Sequence, residues 1–110
     1  MESNFDSVNI LGTEYHIVVN TPMCQSLNAD GICKVYDKLI VMRECSKLLD
    51  ADDSYETKEQ RFNEVMRHEI IHAFFDESGL EEYSNDEQLV CWLAKQFPKM
   101  LKVFEDTSCI

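Results

Sequence analysis

The hydrophobic period of this chain changes partway along, and that change narrows the folds open to it. In the first half apolar residues alternate. Val8 to Leu11, a tight turn at Gly12-Thr13, then Tyr15, Ile17 and Val19 read as one hairpin, ended by Thr21-Pro22. Residues 24–30 are polar and close with Asp30-Gly31. Ile32 to Tyr36 and Leu39 to Arg43, joined by Asp37-Lys38, read as a second hairpin. With a two-residue loop setting the register, Cys33 and Val35 share an apolar face with Ile40 and Met42, which is the expected core side.

The second half has helical spacing. Phe62, Val65, Met66, Ile70, Ala73 and Phe74 form one stripe behind the acidic stretch Asp50 to Ser54, with Glu56 and Glu59 near the start, where the helix dipole favours them. Ser78-Gly79-Leu80 reads as the stop, with Gly79 in the left-handed position after the last turn. A second helix is expected from near Ser84. Ser84 with Glu87, or Asn85 with Gln88, has capping-box spacing. Its stripe runs through Leu89, Val90, Leu93, Phe97, Met100, Leu101 and Phe104, with a kink or break expected at Gln96–Phe97 before Pro98. Strands first and helices last, in 110 residues, predict a single α+β domain over 1–110, with a small, mostly antiparallel sheet packed on two main helices.

Charge limits the partners. Ten Lys and Arg stand against 21 Asp and Glu, a net charge of −11. Such a surface repels phosphate backbones and anionic lipid heads, so neither nucleic acid nor membrane is expected as a partner, and a protein, a peptide or a metal ion is. The acidic Met1–Asp6 start has no leader pattern, no apolar run approaches the ~20 residues of a membrane helix, and a cytoplasmic location is expected. Five scattered cysteines (Cys24, Cys33, Cys45, Cys91, Cys109), odd in number and without a Cys-x-x-Cys pair, suit reduced thiols, some buried as small hydrophobes.

The stretch that carries chemistry is His68-Glu69-Ile70-Ile71-His72. Two histidines at i and i+4 lie on one helix face, and both imidazoles can bind one zinc ion at ~2.0–2.1 Å. Glu69 is displaced around the helix, beside the open position, as general base on water held by the metal. With three His and twelve Glu in the chain, about 0.01 such matches are expected by chance. The flanks Val65, Met66, Ile70, Ile71, Ala73 and Phe74 wall the site with apolar groups, and no charge other than Glu69 stands between the two histidines.

His68–His72 in this frame resembles the zincin metallopeptidases. The layout of two hairpins, this helix and one more helix is similar to the minimal gluzincin core, as in ImmA/IrrE-like metallopeptidases and in small zincin-like proteins of bacteriophages and mobile elements. Ile10 to Tyr15 and Asn85 to Pro98 strengthen the likeness, which covers about residues 8–104. It implies a zinc-dependent peptidase that hydrolyses a peptide bond in a specific protein, within a bacterial or phage-infected cell.

Catalytic zinc usually takes three protein ligands. Phe75 and Ser78 occupy the Gly and last His positions of the metzincin pattern, which excludes that branch, and His16 in the first hairpin reads as a surface residue. The resemblance places the third ligand on the next helix, where Glu87, Val90 and Leu93-Ala94 match the ImmA/IrrE-like spacing with Val for the first Ala. Glu87 is also the N3 residue of the Ser84 capping box. Asp76, one turn past His72, is the rival ligand or a hydrogen-bond support for one. Three ligands at i, i+4 and i+8 span about 12 Å of helix axis, which favours Glu87. Glu82 and Asp86 are weaker candidates. Tyr15, Tyr36, Tyr55 and Tyr83 all remain open as oxyanion donors, and Trp92 reads as core or interface. Strand Leu39–Met42 is expected to hold substrate by strand addition. The alternative function is an interaction or inhibitor protein of a phage or mobile element, which keeps a zinc-stabilised zincin fold and binds a host factor without proteolysis. Oligomeric state stays open.

Overall fold

The structure, a computed structural model, describes residues 7–49 and 55–110, with Tyr55 and Glu56 described by their backbone alone. The Met1–Asp6 start, the acidic stretch 50–54 and the side chains of Tyr55 and Glu56 therefore lie outside the described residues.

The first hairpin pairs β1 (Ser7–Ile10) with β2 (Thr13–Val19), Ile10 opposite Thr13. Its turn is Leu11-Gly12, one residue earlier than expected, with φ of 52° and 92°. Positive φ at both central residues suits the right-handed twist of the strands, and Gly12 meets it without strain. Asn9 Oδ1 accepts the Gly12 N–H at 2.9 Å. The chain then forms α1 (Thr21–Ser26), where a polar loop was expected from residue 24. Asn20 caps it by accepting from the Met23 N–H, and Pro22 sits in the first turn, where no donor is missed.

β3 (Gly31–Lys34) and β4 (Leu39–Met42) pair antiparallel with Cys33 opposite Ile40. The loop is Val35–Lys38, four residues rather than two, and the register is slipped by two from the expected one. An even slip keeps each side chain on its face. Cys33, Ile40 and Met42 thus still point to the core, while Val35 leaves the strand for the turn.

The sheet order is β1-β2-β4-β3. The outer ladders are antiparallel and the central one, β2 with β4, is parallel, with Ile17 opposite Ile40. β4 is consequently an interior strand, paired on both sides, and cannot take a substrate strand as expected. Among the described residues β3 pairs with β4 alone, so β3 and, on the far side, β1 are the edge strands, and the edge of the second hairpin belongs to β3.

One sheet face packs on α2 (Tyr55–Glu77). Ile10, Tyr15, Ile17, Ile40 and Met42 meet Phe62, Val65 and Ala73 in the core. At Gly31 a Cβ would stand 2.6 Å from Val65 Cγ1 and 3.0 Å from Glu69 Cγ, so only glycine lets β3 lie this close to α2. At the far end Glu77 accepts from Thr13 Oγ1 (2.8 Å), Tyr15 Oη (2.7 Å) and Lys38 Nζ (2.7 Å), tying α2 to β2 and to the β3–β4 loop. Gly79 stops α2 at φ 75°, with Gly79 N–H bonded to Asp76 O and Leu80 N–H to Phe75 O, the Schellman pattern.

A short helix, α3 (Glu81–Ser84), reverses the chain into α4 (Glu87–Asp106). The cap of α4 is Asp86, whose Oδ1 accepts the Leu89 N–H at 3.1 Å, so the Ser84 capping box does not form. The helix also continues through Pro98 where a kink or break was expected. Pro98 cannot donate to the carbonyl four residues back, Ala94 O. Arg67 Nε of α2 donates to that oxygen instead, at 2.7 Å. Trp92 is 53% exposed and not core. Cys24 and Cys45 are buried, and all five cysteines are free thiols. No helix among the described residues is long and apolar enough to cross a membrane.

Candidate metal centre

Helix α2 places His68 and His72 one turn apart, their rings edge to face with centroids 4.8 Å apart. The α3 reversal brings the first residue of α4, Glu87, against both. His68 Nε2 and His72 Nε2 are 3.2 Å apart, Glu87 Oε2 is 3.1 Å from the first, and Glu87 Oε1 is 2.8 Å from the second. These three residues are the group of donors among the described residues that could hold a metal ion. A tetrahedral ion with bonds of about 2.0–2.1 Å sets its ligand atoms about 3.3 Å apart, close to the spacings found.

The outer ring nitrogens agree with that use. Ser84 is buried, and its Oγ lies 3.0 Å from His72 Nδ1 and donates to the His72 carbonyl oxygen at 3.5 Å. It therefore accepts from Nδ1–H, which leaves the Nε2 lone pair facing inward. Cys91 Sγ stands 3.7 Å from His68 Nδ1. Burial holds the His68 imidazole below its ordinary pKa against the opposing pull of the Glu87 carboxylate, and so keeps it in the neutral form a metal needs.

Glu69 points into the cleft between α2, β3 and the start of α4. It is 7% exposed, and among the described residues no hydrogen bond or ion pair reaches its carboxylate. Burial pushes its pKa up to about 8, and the Glu87 carboxylate adds to the rise. A buried carboxyl without a partner opposes folding, and one poised near neutral pH is suited to taking and giving a proton.

The structure thus brings together His68, His72 and Glu87 with Glu69 beside them. Asp76 lies outside the donor group, one turn further along α2, and lines the same cleft. The contact expected of Asp76, a hydrogen bond to a ligand, is made to His72 by Ser84. His16 is exposed beside Glu14. Of the tyrosines, Tyr15 is committed to Glu77, Tyr83 packs on the Phe75 ring, and Tyr36 lines the cleft. Sequence reasoning missed three residues here. Ser84 reads from the sequence as a cap, its position three residues before Glu87 being the signal it offers. Cys91, one turn after Glu87, reads as a plain thiol, and Gly31 as the close of a polar loop. Comparison of the chain with protein-family models, with curated proteins and with solved structures finds no match.

Proposed function

We propose that the protein is a zinc-dependent metallopeptidase that hydrolyses a peptide bond in a protein substrate. The observation that carries the reading is the unpartnered, buried Glu69 carboxylate beside three donors spaced for one tetrahedral ion. Two imidazoles and a carboxylate suit zinc and leave a fourth position open. Zinc bound there would polarise the scissile carbonyl and activate water.

The chain's own groups do the rest. The open edge of β3 offers backbone N–H and C=O groups to an extended peptide and aligns it along the cleft. Glu69 takes a proton at its carboxylate oxygen from the attacking water and gives it to the leaving amine. Ser84 and Cys91 hold the two imidazole rings in position from outside.

A zinc-stabilised scaffold that binds a host factor would explain the three donors. It has no use for Glu69, whose burial without a partner costs stability. Two measurements test the proposal. Protein from zinc-replete expression should carry close to one zinc per chain, removable by chelator and abolished by Ala at His68 or His72. Glu69→Gln should keep the zinc and the fold and lose peptidase activity by several orders of magnitude. Absence of zinc ends the reading. A biological effect that survives Glu69→Gln unchanged makes the protein a binder instead.

A further inference from the structure

The cleft is electrically lopsided. Towards the N-terminal end of α2 cations accompany its carboxylates: Arg61, bonded to Glu64 at 3.0 Å and 3.5 Å from Asp30, and Lys95. Towards the β3–β4 loop it widens into a hollow of about 400 Å³ beneath Tyr36, and there Asp76 and Glu81 face the space. Neither carboxylate has an ion-pair partner among the described residues. The nearby lysines are committed elsewhere, Lys34 to Asp37 at 3.5 Å and Lys38 to Glu77 at 2.7 Å.

We propose that this half of the cleft is a subsite for a lysine or arginine side chain of the peptide, next to the bond that is cut. The inference rests on the peptidase reading and names the substrate class for it. Glu69, buried, unpartnered and directed into the same space, marks the hollow as continuous with the reacting centre. A cationic side chain entering from β3 passes between two carboxylates that otherwise face only solvent. The Tyr36 ring, 96% exposed at the rim, offers its face to the cation. Negative charge predominates around it: the Cys33 thiol in the wall is pushed up to about 12, first by burial and then by Glu69, Asp76 and Glu77, with only Lys38 pulling the other way. At long range the −11 charge draws basic peptides to the surface.

The probe is a synthetic octapeptide library, randomised at every position and offered to zinc-loaded protein carrying Glu69→Gln, so that bound peptides are not consumed. Bound peptides are sequenced, and the best binder is remade with citrulline, the neutral isostere, in place of arginine. Lysine or arginine should be enriched at one position, and citrulline should weaken binding about tenfold, the size expected of two partly exposed carboxylates acting on one cation. Asp76→Asn with Glu81→Gln should erase that difference, and Glu81→Lys should shift the preference towards acidic side chains. Zinc titrations of these variants report separately any loss of metal. Peptides bound without a basic preference, or a preference that persists in the double variant, overturn this inference alone. A zinc-loaded protein that neither binds nor cuts any peptide overturns the peptidase reading with it.

Discussion

At the scale of single residues, Glu87 and Asp86 divide two tasks that sequence spacing assigned to one position. Asp86 caps α4, which frees the Glu87 carboxylate for the two imidazoles. Their alanine variants should therefore part company. Asp86→Ala should cost ~1 kcal/mol of stability and leave zinc affinity nearly intact. Glu87→Ala should leave the melting temperature without zinc little changed and weaken zinc binding by orders of magnitude, since it removes one of three ligands. Zinc titrations beside melting curves of both variants check this, and a Glu87→Ala protein with normal affinity would remove Glu87 from the ligand set. Ser84 belongs to the same argument. Its hydroxyl orients His72 without reaching the metal, so Ser84→Ala should weaken zinc ~10–100-fold.

At the scale of elements, α2 and α4 are joined by a repair. Pro98 deprives Ala94 O of its helical donor, and Arg67 supplies one from the neighbouring helix. This explains how α4 passes through a proline that the sequence pattern reads as a breakpoint. Arg67→Met keeps the apolar stem and removes the donor. It should cost about 1–3 kcal/mol, because a carbonyl in a partly buried helix contact is left unmet. In a Pro98→Ala background the helix N–H returns, and the same substitution should cost clearly less. A double-mutant cycle by denaturant unfolding measures the difference. Equal costs in both backgrounds would show that the guanidinium acts elsewhere.

At the scale of the whole molecule, Glu77 links the end of α2 to the first hairpin and to the β3–β4 loop. Its side chain is 13% exposed, and the donors Lys38, Tyr15 and Thr13, in that order of effect, hold its pKa down to about 2 from an ordinary 4.5. A carboxyl with a lowered folded-state pKa stabilises fully above the unfolded value, and that stability is lost as pH falls towards the folded one. Glu77→Gln should therefore melt earlier than the native chain at pH 7. The gap should hold down to about pH 4.5 and close between there and pH 2. Melting temperatures across that range check the window, and a gap that is constant to pH 2 would assign Glu77 a role independent of its charge.

The α+β class, the hairpins, the Gly79 stop and the His68–Glu69–His72 face were legible in the sequence because each rests on local physics: side-chain period, turn residues and helix geometry within a few positions. The α1 helix was local too. Its Asn20 cap and first-turn Pro22 were on the page, but the polar residues after them masked the signal. What only the tertiary structure decided are the contacts between distant segments. Nothing in two hairpins says that β2 and β4 will lie side by side and parallel, which turns β4 into an interior strand and leaves β3 as the edge of its hairpin. Nothing in Ser84, Glu87 or Cys91 distinguishes a cap or a plain thiol from a group facing a histidine, because those roles depend on where the reversal after Gly79 sets α4 against α2. Spacing along one helix is written in the chain, whereas the distance between two helices is set by everything packed between and around them.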